Sequence, residues 1–211
     1  MMALAAPAGL VQATWHLLKW GVQFADMDND GWLDIVQANG HVYPEVDDHK
    51  LGLSYRQPLS LFRNRNGTFK DVGAVSGPAF ETLETSRGLA TGDLNNDGAL
   101  DIVVQNLDAK PWVIMSPGPS GNWLLLDLKG AGSNRRGVGA RITLRVGSST
   151  QIREVKSGGS YQSHCDLRVH FGVGTERIVD ELRIRWPSGV IQTMTKVTVN
   201  QILKIEEPSK R

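Results

Sequence analysis

Four aspartates recur at short intervals in the segment FADMDNDGWLDIVQANG near the start of the chain. Counted from Asp26 as position 1 of a loop, the side-chain oxygens of Asp26, Asp28, Asp30 and Asp34 occupy positions 1, 3, 5 and 9. Gly31 occupies position 6, and Trp32 offers a backbone carbonyl at position 7. Carboxylates this close repel one another and raise each other's pKa unless a cation lies among them. Because every ligand is an oxygen, we predict a site for a hard ion of the Ca²⁺ type.

The surrounding residues distinguish this loop from an EF-hand. An EF-hand needs a bidentate glutamate at position 12 and a helix on each side, whereas Gln37 occupies that position here. A short β-branched run follows Asp34 and ends at Asn39-Gly40, a pattern that predicts a strand. The sequence therefore predicts a calcium loop between two strands.

The same spacing recurs in LATGDLNNDGALDIVVQNL. The predicted ligands of this second copy are the side chains of Asp93, Asn95, Asp97 and Asp101 and the carbonyl of Ala99. Gly98 stands at the turn, and Val104 at position 12 again excludes an EF-hand. A solvated hairpin explains one such loop, but it explains two copies with identical offsets poorly. The two copies begin 67 residues apart, at Asp26 and Asp93. A period of this size with strands in each copy predicts stacked β-units such as propeller blades.

Composition and charge limit the classes of protein to consider. The 211 residues allow one or two domains. The formal net charge of +1 gives no electrostatic case for a nucleic-acid partner, and we expect none. Cys165 is the single cysteine, so no disulfide framework exists. The opening MMALAAPAGLVQ lacks the basic region of a signal peptide and is too short to span a bilayer, so we expect no transmembrane segment.

The elements that must position the two loops are strands. With 23 glycines, 9 prolines and few helix-period segments, the chain is predicted to be all-β. The segment SLFRNRNGTFKDV predicts a hairpin around Asn66-Gly67. After the cluster PGPSGN, seven strand candidates follow, several alternating apolar with charged residues, which predicts a small antiparallel sandwich or barrel. The predicted segments are a ragged start (1–14), two calcium repeats (15–118), a β domain (119–206) and a tail (207–211).

These two loops and the later motifs GSNRRGVGARI, SGGSYQS, LRVHFGVG and RWPSG together resemble a known family. The resemblance is to the cartilage acidic protein type, in which FG-GAP/VCBS calcium repeats precede an ASPIC/UnbV domain. It implies an integrin-like β-propeller and an extracytoplasmic protein, secreted, periplasmic or at the cell surface. Propellers close with about four to eight blades, and two repeats are present here. We therefore expect a partial propeller and a C-terminal fragment of a longer protein that holds the missing blades.

Enzymatic interpretations rest on a few further residues. His164 and Cys165 are adjacent, so on a strand they point to opposite faces and form no nucleophile and base pair. We expect Cys165 to be a buried thiol and His170 a packed or surface histidine. The glycines of RRGVGAR precede a strand, so the helix-based rationale for phosphate binding fails. The segment from Ser157 to Tyr161 is expected to be a tight loop, with a polar pocket wall as the alternative.

Two function classes remain. The first is a non-enzymatic, calcium-binding adhesion or recognition module with a glycan or protein ligand. The second is a fragment of a carbohydrate-active hydrolase or lyase built on a calcium-stabilised propeller. The second would use the polar loop over 41–58, where EVDDHK supplies Glu45, Asp47, Asp48 and His49. Because such a run is ordinarily a solvated charged loop, we favour the binding module.

Overall fold

The computed structural model describes residues 5–49, 51–131 and 134–209. These residues form one short helix, α1 (Leu10–Thr14), and fourteen strands, with brief 3-10 turns between them. Strands dominate, so the predicted all-β class is confirmed. No helix in the described part of the chain has the length and apolar character needed to cross a membrane.

The first unit is a four-stranded antiparallel meander. Its strands pair in chain order: β1 (Lys19–Ala25), β2 (Asp34–Asn39), β3 (Ser60–Arg65) and β4 (Thr68–Asp71). The predicted hairpin joins β3 to β4, with Asn66 and Gly67 at φ 52° and 84°, the left-handed values that a two-residue turn requires. The start of the chain lies against this sheet, since the Phe69 amide donates to the Ala8 carbonyl at 2.9 Å.

The second unit is a shorter meander of β5 (Ser86–Gly92), β6 (Asp101–Asn106) and β7 (Trp112–Ile114). Its first strand packs beside β1, and the two approach so closely at Gly21 that a Cβ there would lie 2.6 Å from the Cβ of Leu89. Both units share one apolar cluster of Val36, Ala38, Leu59, Phe80, Leu89, Ile102 and Val104. Two neighbouring open meanders fit the predicted propeller-like fold.

The C-terminal domain contains all seven predicted strands: β8 (Asn122–Lys129), β9 (Arg141–Val146), β10 (Ser149–Glu154), β11 (Val169–Gly174), β12 (Ile178–Arg185), β13 (Ile191–Thr198) and β14 (Gln201–Glu206). They form two sheets, of order β11-β8-β14 and β10-β9-β12-β13. The sheets face each other across a core that includes Leu126, Ile142, Phe171, Leu182 and Trp186. Neither sheet closes on itself in the described residues, so the domain is a sandwich rather than a barrel.

One pairing differs from the predicted antiparallel pattern, because β14 runs parallel to β8. The turn after β13 brings Asn200 beside the start of β8, where its amide donates to the Trp123 carbonyl at 2.6 Å and its side chain accepts from the Trp123 amide at 3.1 Å. The last strand therefore begins at the same end of the sheet as β8 and follows it in the same direction.

Candidate metal centres at the domain contact

The first aspartate loop connects β1 to β2 and is organised by its own backbone amides. Asp26 accepts from the amides of Asp30 (3.1 Å) and Gly31 (2.9 Å). Asp34 accepts from the amide of Met27 (3.0 Å) and from that of Asn64 on β3 (2.8 Å). Gly31 has φ 93°, a left-handed value that a side chain would strain. The two end ligands are thus fixed before any ion binds.

Three acidic side chains of this loop meet at one point. Asp26, Asp28 and Asp34 offer carboxylate oxygens that all lie within 4.8 Å of one another. Both oxygens of Asp28 and Oδ2 of Asp30 are buried without a hydrogen-bond partner among the described residues. Arg63 forms an ion pair with Asp28, and Arg65 lies 3.5 Å from Asp30, so β3 offsets part of this charge. Buried anionic oxygens without donors are the chemistry that a hard cation satisfies, and the residues fit Ca²⁺.

The protonation behaviour of the loop reflects the same crowding. Burial raises the pKa of Asp26 to about 7, against the opposing effect of the Gly31 hydrogen bond and with further increases from Asp30, Asp34 and Asp28. Burial likewise raises the pKa of Asp34 to about 6 and raises that of Asp30. The folded loop therefore holds protons near neutral pH, and a cation would displace them.

The second loop connects β5 to β6 and repeats the backbone scheme of the first. Asp93 accepts from the amides of Asp97 (3.1 Å) and Gly98 (2.9 Å). Asp101 accepts from those of Leu94 (2.9 Å) and Ser116 (2.8 Å). Two loops far apart in sequence thus hold their first and ninth positions in the same way.

The middle of the second loop differs from that of the first. The side-chain amide of Asn95 donates to Asp97 at 2.8 Å, so these two predicted ligands satisfy each other. Trp32 and Ala99 occupy equivalent places, and their amides donate to Asp30 (2.9 Å) and Asp97 (2.8 Å). Among the described residues, a group of three acidic ligands forms only at the first loop.

The sequence did not reveal that the C-terminal domain rests on both loops. His170 on β11 has Nε2 3.0 Å from the Gly98 carbonyl. Because a carbonyl only accepts, Nε2 carries the proton, and burial lowers the pKa of His170 to about 4, which keeps the ring neutral. Arg168 donates to the Asp93 carbonyl at 2.6 Å, and the Gly174 amide donates to the Asn29 carbonyl at 2.8 Å. The sequence did contain one indication of this contact: polar and apolar residues alternate in LRVHFGVG, a pattern that places Arg168 and His170 on the face of the strand that points away from the core.

Two small residues allow this close approach. A methyl group at Gly172 would overlap Oδ2 of Asp26 and the Asn29 backbone, and one at Gly98 would overlap the Trp123 ring. The buried Asn29 side chain of the first loop contacts both the second loop and the start of the C-terminal domain, since its amide donates to the carbonyls of Gly98 (3.1 Å) and Gly121 (3.3 Å). The first loop, the second loop and the start of the C-terminal domain therefore form one hydrogen-bonded contact.

An interdomain cleft of about 490 Å³ opens beside this contact. Its lining includes Asp26, Arg153, Cys165 and His170. Cys165 is half-buried rather than buried as predicted, because it borders the cleft, and its sulfur accepts from the Thr91 amide at 3.4 Å. Nδ1 of His164 lies 2.8 Å from the Cys165 carbonyl instead of the thiol, so the adjacent pair forms no activated nucleophile.

The segment from Ser157 to Tyr161 both docks the domains and borders the cleft. The Ser160 hydroxyl accepts from the Val22 amide at 2.8 Å. The Tyr161 ring lies 4.9 Å from that of Trp20. Gly158 and Gly159 line the cleft. The segment is therefore both the loop that we expected and the pocket wall that we considered as the alternative.

The polar loop over 41–58 lies elsewhere. Glu45, Asp47, Asp48 and His49 belong to an exposed 3-10 helix, Pro44–His49. Asp47 accepts from the Tyr55 amide at 2.9 Å, and Nδ1 of His41 accepts from the Tyr43 amide at 3.2 Å. In the described residues these side chains organise their own loop, and none of them lines the interdomain cleft.

Comparisons with known proteins agree with this architecture. The family model for FG-GAP-like repeats matches residues 51–104, and the model described as ASPIC and UnbV matches residues 130–211. Cartilage acidic protein 1 from Mus musculus is 25% identical over 192 residues, covering 87% of this chain and 28% of the relative. The protein of that name from Xenopus tropicalis is 26% identical over 197 residues, with the same coverages. The chain thus spans little more than a quarter of these relatives. Its segments match an FG-GAP-like repeat followed by an ASPIC/UnbV domain, the combination that its motifs predicted.

Proposed function

We propose that this chain is a non-enzymatic, calcium-binding adhesion or recognition module that works outside the cytoplasm. The observation that carries the proposal is the convergence of Asp26, Asp28 and Asp34 within 4.8 Å, with Oδ1 of Asp28 buried and lacking a donor among the described residues while Arg63 pairs with the other oxygen. Calcium supplies the further positive charge that three converging carboxylates need beyond this one arginine. The second loop is a weaker site, because the neutral Asn95 replaces one carboxylate and already pairs with Asp97.

Metal binding has a structural purpose in this proposal. The loop that holds Asp26 also carries Asn29, which joins the second loop to the C-terminal domain. An ion among the carboxylates fixes the loop backbone and so stabilises the surface on which β11 rests. The module then presents a defined arrangement of repeats and sandwich to a glycan or protein ligand. In a longer protein, further blades would extend the same propeller.

The enzymatic alternative has less support. It would need acids or a histidine from the 41–58 loop to converge on a cleft, whereas Glu45, Asp48 and His49 are exposed on a 3-10 helix. Asp47 is already used to hold the Tyr55 amide. No observation in the described residues favours a hydrolase or lyase over a binding module.

Calorimetric titration of the chelator-stripped chain with Ca²⁺ tests the proposal. We expect two binding events, the first loop being the tighter, and about 2.7 kcal/mol of added stability when free Ca²⁺ is a hundredfold above its dissociation constant. Asp28→Asn should weaken the tighter event at least about tenfold, since charge count sets affinity in such sites. The metal-free stability of this variant should change little, because the ion pair that it weakens, with the partly exposed Arg63, is of a kind worth about 0–1 kcal/mol.

Asp48→Asn is the matched control, because it makes the same chemical change on an exposed 3-10 helix away from both loops. It should leave both binding events intact. A chain that gives no heat with Ca²⁺ and melts at the same temperature in chelator and in excess Ca²⁺ would refute the metal-binding proposal.

A further inference from the structure

Three arginines gather on the outer face of the sheet β10-β9-β12-β13. Arg141 on β9 stands directly opposite Arg185 on β12 in the strand register. Arg183 lies two residues earlier on β12, on the same face, opposite Thr143. All three arginines are exposed, and together with Thr143 they line a shallow cleft of about 330 Å³. Like charges directly opposite one another destabilise a sheet, so this arrangement is costly unless an anion binds there.

The neighbouring residues do not neutralise this group. No carboxylate oxygen of the described residues lies within 4.0 Å of a guanidinium nitrogen of Arg141, Arg183 or Arg185, although Glu154 stands opposite Arg141 on β10. On the same pair of strands, by contrast, Arg145 reaches its opposite residue Glu181 at 3.7 Å. The opposite face of these strands is packed into the sandwich core, so the arginines stand on a rigid platform.

The positive surface continues beyond the sheet. Arg141 also borders the interdomain cleft, together with Arg153 and Lys156. Arg153 lines that cleft from the core-facing side of β10, opposite Ile142 and over the Phe171 ring, so it is not part of the outer surface. Among the described residues, three acids border the cleft: Asp166 is paired with Arg168, Asp26 belongs to the metal loop, and Glu154 stands opposite Arg141 without reaching it.

We propose that this arginine track, formed by Arg141, Lys156, Arg183 and Arg185, binds a sulfated polysaccharide. The planar guanidinium fork matches the oxygens of a sulfate ester and can bind them in pairs. Two clefts that share Arg141 suit a linear polyanion better than a single small anion. The inference supplies a ligand class for the proposed recognition role and rests on that role, but it uses none of the metal ligands.

Two features favour a glycan over a nucleic acid. The cleft on the sheet is lined by three arginines and a threonine, which offer unpaired bases no aromatic surface for stacking. The chain as a whole carries a formal net charge of only +1, so it lacks the broad positive field that non-specific nucleic-acid binding uses. The positive charge is confined to one track, as expected for recognition of local sulfate groups.

The test is a binding titration of the full chain with a fluorescent heparin-derived oligosaccharide in low salt. Arg183→Gln with Arg185→Gln should weaken binding about tenfold, which is about 1.4 kcal/mol, because two exposed charge pairs with sulfate groups are lost. The matched control, Arg56→Gln with Arg177→Gln, removes two exposed arginines, one in the 41–58 loop and one before β12, at the opposite end of that strand from Arg185. It should change affinity less than twofold. Both variants alter surface residues, and their melting temperatures verify folding.

Further arms of the titration separate the outcomes. The desulfated oligosaccharide should bind much more weakly, and a DNA oligonucleotide of equal length should not compete effectively. Equal losses in the two double variants, binding that survives desulfation or stronger binding of DNA would each overturn the proposal. Asp28→Asn should leave oligosaccharide affinity unchanged. If calcium titration succeeds while the sulfated oligosaccharide fails to bind, only the ligand inference falls. Failure of calcium binding with intact oligosaccharide binding would instead refute the metal role.

Discussion

In the absence of calcium, the chain should lose stability as pH rises from about 4 to about 7. The largest contribution comes from Asp26, whose pKa burial raises from 3.8 to about 7. Asp34, whose pKa is raised to about 6, acts in the same direction, and His170, whose pKa is lowered to about 4, acts in the opposite one. In this interval the folded chain holds an Asp26 proton that the unfolded chain has already released. When the folded state binds more protons, the free energy of unfolding falls with increasing pH. Below the unfolded pKa both states are protonated, and above about pH 7 both are ionised, so the loss is confined to that interval.

The magnitude follows from the difference in pKa. Each pKa unit is worth 1.36 kcal/mol, so a rise from 3.8 to about 7 corresponds to a loss of about 4 kcal/mol. A typical domain has 5–15 kcal/mol of total stability. The metal-free chain should accordingly be far easier to unfold at pH 8 than at pH 5. Excess Ca²⁺ should remove this dependence, because the ion compensates the ionised carboxylates, and its binding near pH 6 should release protons.

Urea denaturation at a series of pH values, followed by tryptophan fluorescence, measures the effect in chelator and in excess Ca²⁺. Asp26→Asn should flatten the metal-free profile, because it removes the largest contribution and leaves those of Asp34 and His170, which are similar in size and opposite in sign. Asp93→Asn, the equivalent change in the second loop, should leave the decline in place because Asp26 is still present. A metal-free stability that stays level or increases between pH 4 and 7 would refute the assignment of a buried, proton-holding Asp26.

Three further outcomes are expected. Asp34→Ala in chelator should cost about 3 kcal/mol, measured by urea unfolding, because two backbone amides lose their acceptor; an unchanged midpoint would contradict this. Gly172→Ala should separate β11 from the first loop, because there is no room for a methyl group between them. Amide hydrogen exchange in β11 and the first loop should therefore become faster, and exchange as slow as in the wild type would contradict this contact. Limited proteolysis should cut first within 41–58, since the 116–121 connection is hydrogen-bonded to the loops; an earlier cut at 116–121 would show that this contact opens.

Much of the architecture could be predicted from local pattern. Evenly spaced strand-like segments located all seven strands of the C-terminal domain, several of them through alternation of apolar and charged residues, because a strand's period of two is a local property of its sequence. The Asn66-Gly67 pair fixed a hairpin, since few residues accept left-handed backbone angles. The spacing of the aspartates likewise specified two loops with one hydrogen-bonding scheme, because each hydrogen bond from a backbone amide to an aspartate spans only a few residues.

Other features depended on which distant segments meet. The sequence alone predicted equal ligand spacing in both loops, yet only the folded chain brings Asp28 together with Asp26 and Asp34 while Asn95 pairs with Asp97. The parallel course of β14 required a turn that joins the two sheets. The contact between His170 and Gly98 joins residues 72 positions apart. The sequence of a strand indicates which face of the sheet a side chain lies on. Which surface that side chain contacts depends on how the units pack against one another, because packing and hydrogen bonding there involve residues from distant parts of the chain.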